Sequence, residues 1–156
     1  MKMNKPYFPL CADLSAKQIR VIGGGRIGTR RTLALIPFCE NITVYDEKPS
    51  AELIAAENKG EIRLVRENFD QHMLDGADIV LACTNDPEIN NTIYELCKSS
   101  GIPVNICSDK SKCDFYFPGI VRKDNVVVGI TASGEAHSKA RAIREEFEKI
   151  LDEYDF

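Results

Sequence analysis

The stretch VIGGGRIGTRR, residues 21–31, sets three glycines directly behind two β-branched residues and then turns basic. Valine and isoleucine favour a strand. The residues after the glycines, RIGTRRTLALI, have helical spacing and are stopped by Pro37. Gly23, Gly25 and Gly28 therefore fit G-x-G-x-x-G at a strand-to-helix turn. The first glycine permits the tight turn, the second lets backbone approach a pyrophosphate, and the third lets helix pack closely on strand. Across Arg26 and Ile27 the helix start offers backbone N–H groups and a partial positive charge to an anion.

The segments around the loop supply its context. KQIRVIG (17–23), NITVYD (41–46), IRLVREN (62–68), ADIVLACT (77–84) and IPVNICS (102–108) read as short apolar strands. Helical stretches separate several of them: SAELIAAENKG, ending at Gly60, and DPEINNTIYELCKSSG, with Asp86 as cap, Pro87 in the first turn and Gly101 at the end. Such alternation predicts a Rossmann-like α/β fold, a parallel sheet covered on both faces. Asp46 closes the second strand at about the 20-residue distance of the acid that holds ribose hydroxyls. Its charge favours NAD over NADP, while Arg26 and Lys48 pull the other way.

Past Cys113 the pattern changes. DFYFPGIVRKDNVVVGITASG reads as two strands joined across RKDN, and HSKARAIREEFEKILDEY as an amphipathic helix with Ala140, Ile143, Phe147, Ile150 and Leu151 on one stripe. The expected organisation is a dinucleotide domain over residues 1–112 and a hairpin-and-helix dimerisation region over 113–156. A hairpin with one helix buries little alone, so a second copy is the expected partner.

The 156 residues suit one domain with an appendage, at 44% hydrophobic and 28% charged. The net charge of −4 argues against nucleic acid or an anionic membrane as partner, and no apolar run approaches a membrane span. Six cysteines without a CxxC pair indicate structural thiols in a reducing cytoplasm, with no metal site.

Four segments read in order carry a family resemblance: YFPLCADLSAKQIRVIGGGRIGTRR, ADIVLACTNDPEIN, PVNICSDKSKCDFYFPGIV and VVVGITASG. Together they resemble the precorrin-2 dehydrogenase / sirohydrochlorin ferrochelatase family of sirohaem synthesis, from Tyr7 to about Glu148. The resemblance implies NAD-dependent removal of two electrons from precorrin-2 to give sirohydrochlorin. Some members of that family also insert Fe²⁺. It further implies a homodimer interlocked through the hairpin region, with the active site in a cleft between domains. The family's proposed catalytic aspartate falls at Ser108, with Asp109 one step on; either a local shift lets Asp109 serve or the acid is absent. The family's SxGGxSPxLAR stretch reads TASGEAHSKAR here, with His137 for proline. Family members also continue into a helical segment over the tetrapyrrole cleft, whereas this chain stops at Phe156, so a partner enzyme completing the cleft is a further expectation.

Hydride transfer requires a cofactor carbon set against the carbon being oxidised, with water excluded. Thr84 and Asn85, at the end of the fourth strand, and Asn105, in the fifth, are the candidates for orienting cofactor or substrate. Oxidation releases a proton, for which Asp109 is the first candidate acceptor and His137 the second. Asp86 reads more readily as a helix cap, and His72 as a surface residue. Two other readings stand beside the enzyme: a degenerate, partner-dependent tetrapyrrole binder, and an NAD-sensing module, since VIGGGRIG, TVYD and TNDPEIN also resemble the regulatory domains of potassium uptake systems. The latter class lacks anything like CDFYFPGIVRKDNVVVGI.

Overall fold

The computed structural model describes residues 6–133 and 136–154, with the His137 side chain left out of the description. These fall into two compact units, one of them Asp13–Tyr116 and the other joining the stretch before Asp13 to the chain from Phe117 onward.

In the first unit, β1 (Gln18–Ile22), β2 (Asn41–Tyr45), β3 (Arg63–Val65), β4 (Ile79–Ala82) and β5 (Val104–Ile106) form one parallel sheet in the order β3-β2-β1-β4-β5. The chain winds outward from β1 through β2 and β3, then returns to the other side of β1 for β4 and β5. Order therefore reverses between β1 and β4, which is where open α/β sheets bind ligands. Strands buried on both faces need apolar residues in both phases of their period. Ile22, Val80, Ala82, Val104 and Ile106 pack with Ile93 and Cys97 of α3 (Pro87–Ser100) and with Met73 and Leu74 of a short 3-10 turn. Ile19, Val21 and Leu81, one step out of phase, are equally inaccessible.

The helix ends obey local chemistry. Ser50 caps α2 (Ala51–Asn58) by accepting from the Leu53 N–H. The Asp86 carboxylate caps α3 by accepting from the N–H groups of Glu88 and Ile89 at 2.8 and 3.2 Å, and Gly101 closes that helix at φ +68°. Only α1 (Arg26–Leu35), among these three, starts without a side-chain cap.

β4 is shorter than the expected 77–84. At its start Asp78 turns its carboxylate to the Gln18 N–H at 2.8 Å, tying down the entry to β1. At its end Thr84 leaves the ladder because its hydroxyl bonds to Asn90 and to the Asp86 carbonyl.

In the second unit, β6 (Gly119–Lys123) and β7 (Val126–Ile130) form an antiparallel hairpin. Its two-residue turn places Asp124 at φ +49°, a conformation that aspartate tolerates better than most residues. The last element is α4 (His137–Glu153). The Lys123 ammonium donates to the carbonyls of Leu151 and Asp152 at 2.8 and 3.3 Å, satisfying the end of α4 with a cation where the helix dipole is negative.

Candidate dinucleotide site

The register of the sheet sets four residues in a row at its carboxyl edge. Tyr45, Ile22, Ala82 and Ile106 are aligned across β2, β1, β4 and β5, so Asp46, Gly23, Cys83 and Cys107 come next, side by side. Backbone bonds carry the ladder one step further: Gly23 N–H to the Tyr45 carbonyl at 2.9 Å, Cys83 N–H to Ile22 at 2.7 Å and Cys107 N–H to Ala82 at 3.0 Å.

Two of the three motif glycines are required by the protein itself. Gly23 has φ +98°, and a Cβ there would lie 2.7 Å from the Cys83 carbonyl and 2.8 Å from the Thr84 nitrogen. A Cβ at Gly28 would overlap the Gly23 carbonyl oxygen. Gly25 differs, because a Cβ there would meet nothing within 4 Å, and its backbone (φ −68°, ψ −171°) is open to any residue. The space beside Gly25 is thus kept clear of side chain without any demand from packing, as the approach of a pyrophosphate requires. α1 begins at this point with no acid in its first turn, whereas α2 and α3 carry Glu52 and Glu88 there. These features fit a dinucleotide phosphate group.

Asp46 stands on the β2 side of the loop. One carboxylate oxygen accepts from the Gly24 N–H at 2.5 Å, and the other from the Lys48 N–H at 2.7 Å. The carboxylate therefore shapes the loop, and each oxygen keeps a further lone pair for a sugar hydroxyl. The Thr29 hydroxyl donates to the Gly24 carbonyl at 2.9 Å and lies 3.0 Å from the Ser50 hydroxyl, joining the loop to α2. Gly25, Arg26, Arg30, Lys48 and Ser50 line a cleft here. Ile27, in the first turn of α1, is 37% exposed.

On the β4 side the organiser is Asn90, which sequence reasoning missed. It is buried in the first turns of α3; its amide nitrogen donates to the Thr84 carbonyl at 3.0 Å and to the Ser108 hydroxyl at 3.3 Å, and its oxygen accepts from the Thr84 hydroxyl at 2.8 Å. One side chain thereby holds the loops after β4 and β5 together. The available signal was a polar residue one helical turn beyond the Asp86 cap, on the face that carries Ile93 and Cys97. Asn85 lies exposed beside Asp86 in a second surface concavity.

Asn105 occupies a different setting from the one expected. It is 2% exposed, donates to the Phe115 carbonyl at 2.6 Å and accepts from the Arg31 guanidinium. Both ends of its amide thus serve protein partners, as is needed for a polar group in the core. Asp109 caps the 3-10 turn Lys110–Lys112, and one of its oxygens accepts from both the Ser111 hydroxyl and N–H, at 2.7 and 2.9 Å. These bonds, helped by the charge of Lys112, hold its carboxyl below the ordinary aspartate value. The structure thus gathers Gly23, Gly25, Gly28 and Asp46 at one point, with Thr84 and Ser108 linked through Asn90. The side chain of His137 lies outside the described residues.

A model of the family described as "Putative NAD(P)-binding" matches residues 10–119. "Siroheme synthase 1" of Pectobacterium atrosepticum is 32% identical over 145 residues, covering 93% of this chain and 30% of that protein. "Siroheme synthase" of Baumannia cicadellinicola is 35% identical over 145 residues, covering 93% of this chain and 31% of its own length. The chain thus spans about a third of the length of these curated relatives. Among solved structures, "SirC, precorrin-2 dehydrogenase" superposes with a TM-score of 0.83 at 24% identity, covering 96% of this chain and 71% of that one, and so shares its fold. With the model spanning the whole β1-to-β5 region and the loop, acid and bare helix end in place, the chain belongs to this NAD(P)-binding family.

Proposed function

We propose that the chain is an NAD-dependent precorrin-2 dehydrogenase, acting in sirohaem biosynthesis in the cytoplasm. The observation that carries this reading is the open face at Gly25, set between an uncapped α1 and Asp46, in a chain similar along nearly all its length to siroheme synthases. Bound NAD supplies the acceptor for a hydride. The N–H groups from Gly25 to Ile27 bind its pyrophosphate, and Asp46 its ribose. Removing two electrons as hydride leaves one proton to be taken from the tetrapyrrole, and we assign that step to Asp109, which is ionised at neutral pH. Thr84 and Asn85 orient the reacting groups at the end of β4, with Thr84 and the Ser108 hydroxyl both held by Asn90.

The direct test is anaerobic turnover of precorrin-2 with NAD, monitored as NADH and as the sirohydrochlorin spectrum. Stoichiometric NADH is expected, with NAD preferred over NADP. Proton acceptance by Asp109 requires a rate without an acid limb between pH 5 and 8, because its carboxyl titrates below the ordinary value of about 3.9. D109N then loses about 100-fold or more in kcat. A limb centred near 6.5 that disappears in H137Q would move the role to the histidine. NAD binding without turnover under any condition would favour the sensing module instead.

The glycines divide binding from folding. G25A is expected to keep the wild-type thermal midpoint, since nothing lies within 4 Å of the added methyl, yet to lose NAD binding in calorimetric titration. G28A is expected to lower both, because α1 must move off the Gly23 carbonyl. Unchanged NAD affinity in G25A would place the pyrophosphate elsewhere.

The second unit is proposed as the dimerisation region. Ile143, Phe147 and Ile150 on α4 and Val127 on β7 are 37–48% exposed, more apolar surface than a short hairpin unit leaves open without a partner. Sedimentation velocity should give a dimer for the wild type and a monomer for F147E. A monomeric wild type at micromolar concentration contradicts this.

A further inference from the structure

Cys83 and Cys107 are neighbours in the carboxyl-edge row, one residue beyond the aligned pair Ala82 and Ile106. Their sulfurs are 2.8 Å apart. Adjacent strands run about 4.7–4.9 Å apart, inside the Cα separation of about 4.4–6.8 Å that a disulfide spans. Closing the thiols to a bond of about 2.05 Å therefore asks for side-chain rotation, with no change of strand register. We propose that Cys83 and Cys107 form an oxidisable dithiol that closes into an intramolecular disulfide directly beneath the glycine loop, a modification site that stands independently of the reaction assigned to the chain.

The two thiols differ in the way such a pair needs. Cys107 is partly accessible, whereas Cys83 is 7% exposed. The hydrogen bond between the two thiols lowers the pKa of Cys107, and the charges of Arg31 and Arg30 add to this against the cost of burial. The same hydrogen bond, together with burial, raises that of Cys83. Cys107 is thus the attacking sulfur and Cys83 the resolving one. With hydrogen peroxide as oxidant, the Cys107 thiolate attacks one oxygen, the O–O bond breaks, and hydroxide leaves to become water. Cys83 then attacks the sulfenic sulfur: the S–S bond forms, the S–O bond breaks, and a second water departs with the thiol proton. Two thiols lose two electrons, and the peroxide gains them.

The other four cysteines are set differently. The Cys113 thiol donates to the carbonyls of Ile106 and Asp109, that of Cys39 donates to the Lys17 carbonyl, and burial raises the pKa of both. Burial pushes Cys97 up to about 11. Cys11 is exposed, but no cysteine bonds to it among the described residues. The consequence of closure reaches the loop, because the Cys83 carbonyl is the group that excludes a side chain at Gly23, and its Cβ lies 3.3 Å from where a Cβ at Gly28 would stand.

The test uses the full chain, purified reduced and treated with one equivalent of hydrogen peroxide, then alkylated and mapped by mass spectrometry. The expected result is loss of two hydrogens, a Cys83–Cys107 crosslinked peptide reversed by dithiothreitol, and a thermal midpoint several degrees higher, as closing a loop between positions 24 apart should give. C107S should form no crosslink. C83S should stop at a dimedone-reactive sulfenic acid on Cys107, and C113S should leave the crosslink intact. Oxidation of Cys11 ahead of Cys107, a different pairing, or a Cys107 that passes to sulfinic acid without bonding Cys83 would overturn the proposal. The wild-type peptide map decides this even where a variant fails to fold.

Discussion

Everything at the carboxyl edge depends on how closely α1 approaches the end of β1. At Gly28 the helix backbone lies so near the Gly23 carbonyl oxygen that no side chain fits between them. The contact fixes where α1 begins and therefore where its unpaired N–H groups lie. Gly23 is pressed in turn against the backbone of Cys83 and Thr84, so the same turn sets the spacing of β1 and β4. Open α/β sheets bind ligands at the point where their strand order reverses. Here two glycines hold the start of α1 there, and the third leaves the approach clear.

Around that contact the side chains act as staples. Asp46 draws the loop to β2, Thr29 joins it to α2, and Asn90 binds the segments after β4 and β5. None of these needs a ligand to be satisfied, so the site is shaped before anything binds. Preorganisation of this kind reduces the ordering that association would otherwise require.

The loop, its acid and the hairpin were legible because each is a local pattern: glycine spacing, an acid at the end of an apolar run, two β-branched runs across a polar turn. The Asp86 cap was legible for the same reason. Asn105 was not. Its sequence neighbours mark a strand, but burial beside Arg31 and Phe115 arises only once β5 is placed against the rest of the unit. Asn90 was missed because a polar residue in an amphipathic helix normally faces water, and only the crossing of α3 over the β4 and β5 loops turns it inward. The six cysteines read as dispersed structural thiols. Pairing of Cys83 with Cys107 arises from the register of two parallel strands joined through α3, which no short-range spacing encodes. Cys83 and Thr84 continue the apolar, β-branched character of β4 and so read as strand; the ladder bond does persist at Cys83, and the side-chain bonding of Thr84 ends it there.

The N-terminus of α1 is proposed to hold the pyrophosphate of a nicotinamide dinucleotide at the junction of β1 and β4. Titration of the ¹⁵N-labelled protein with NAD, read amide by amide, tests it most directly. The largest shifts are expected at Gly25, Arg26 and Ile27, with a second group at Asp46–Lys48 and a third at Thr84–Asn85. Shifts confined to other surfaces, or none at millimolar NAD, would contradict it.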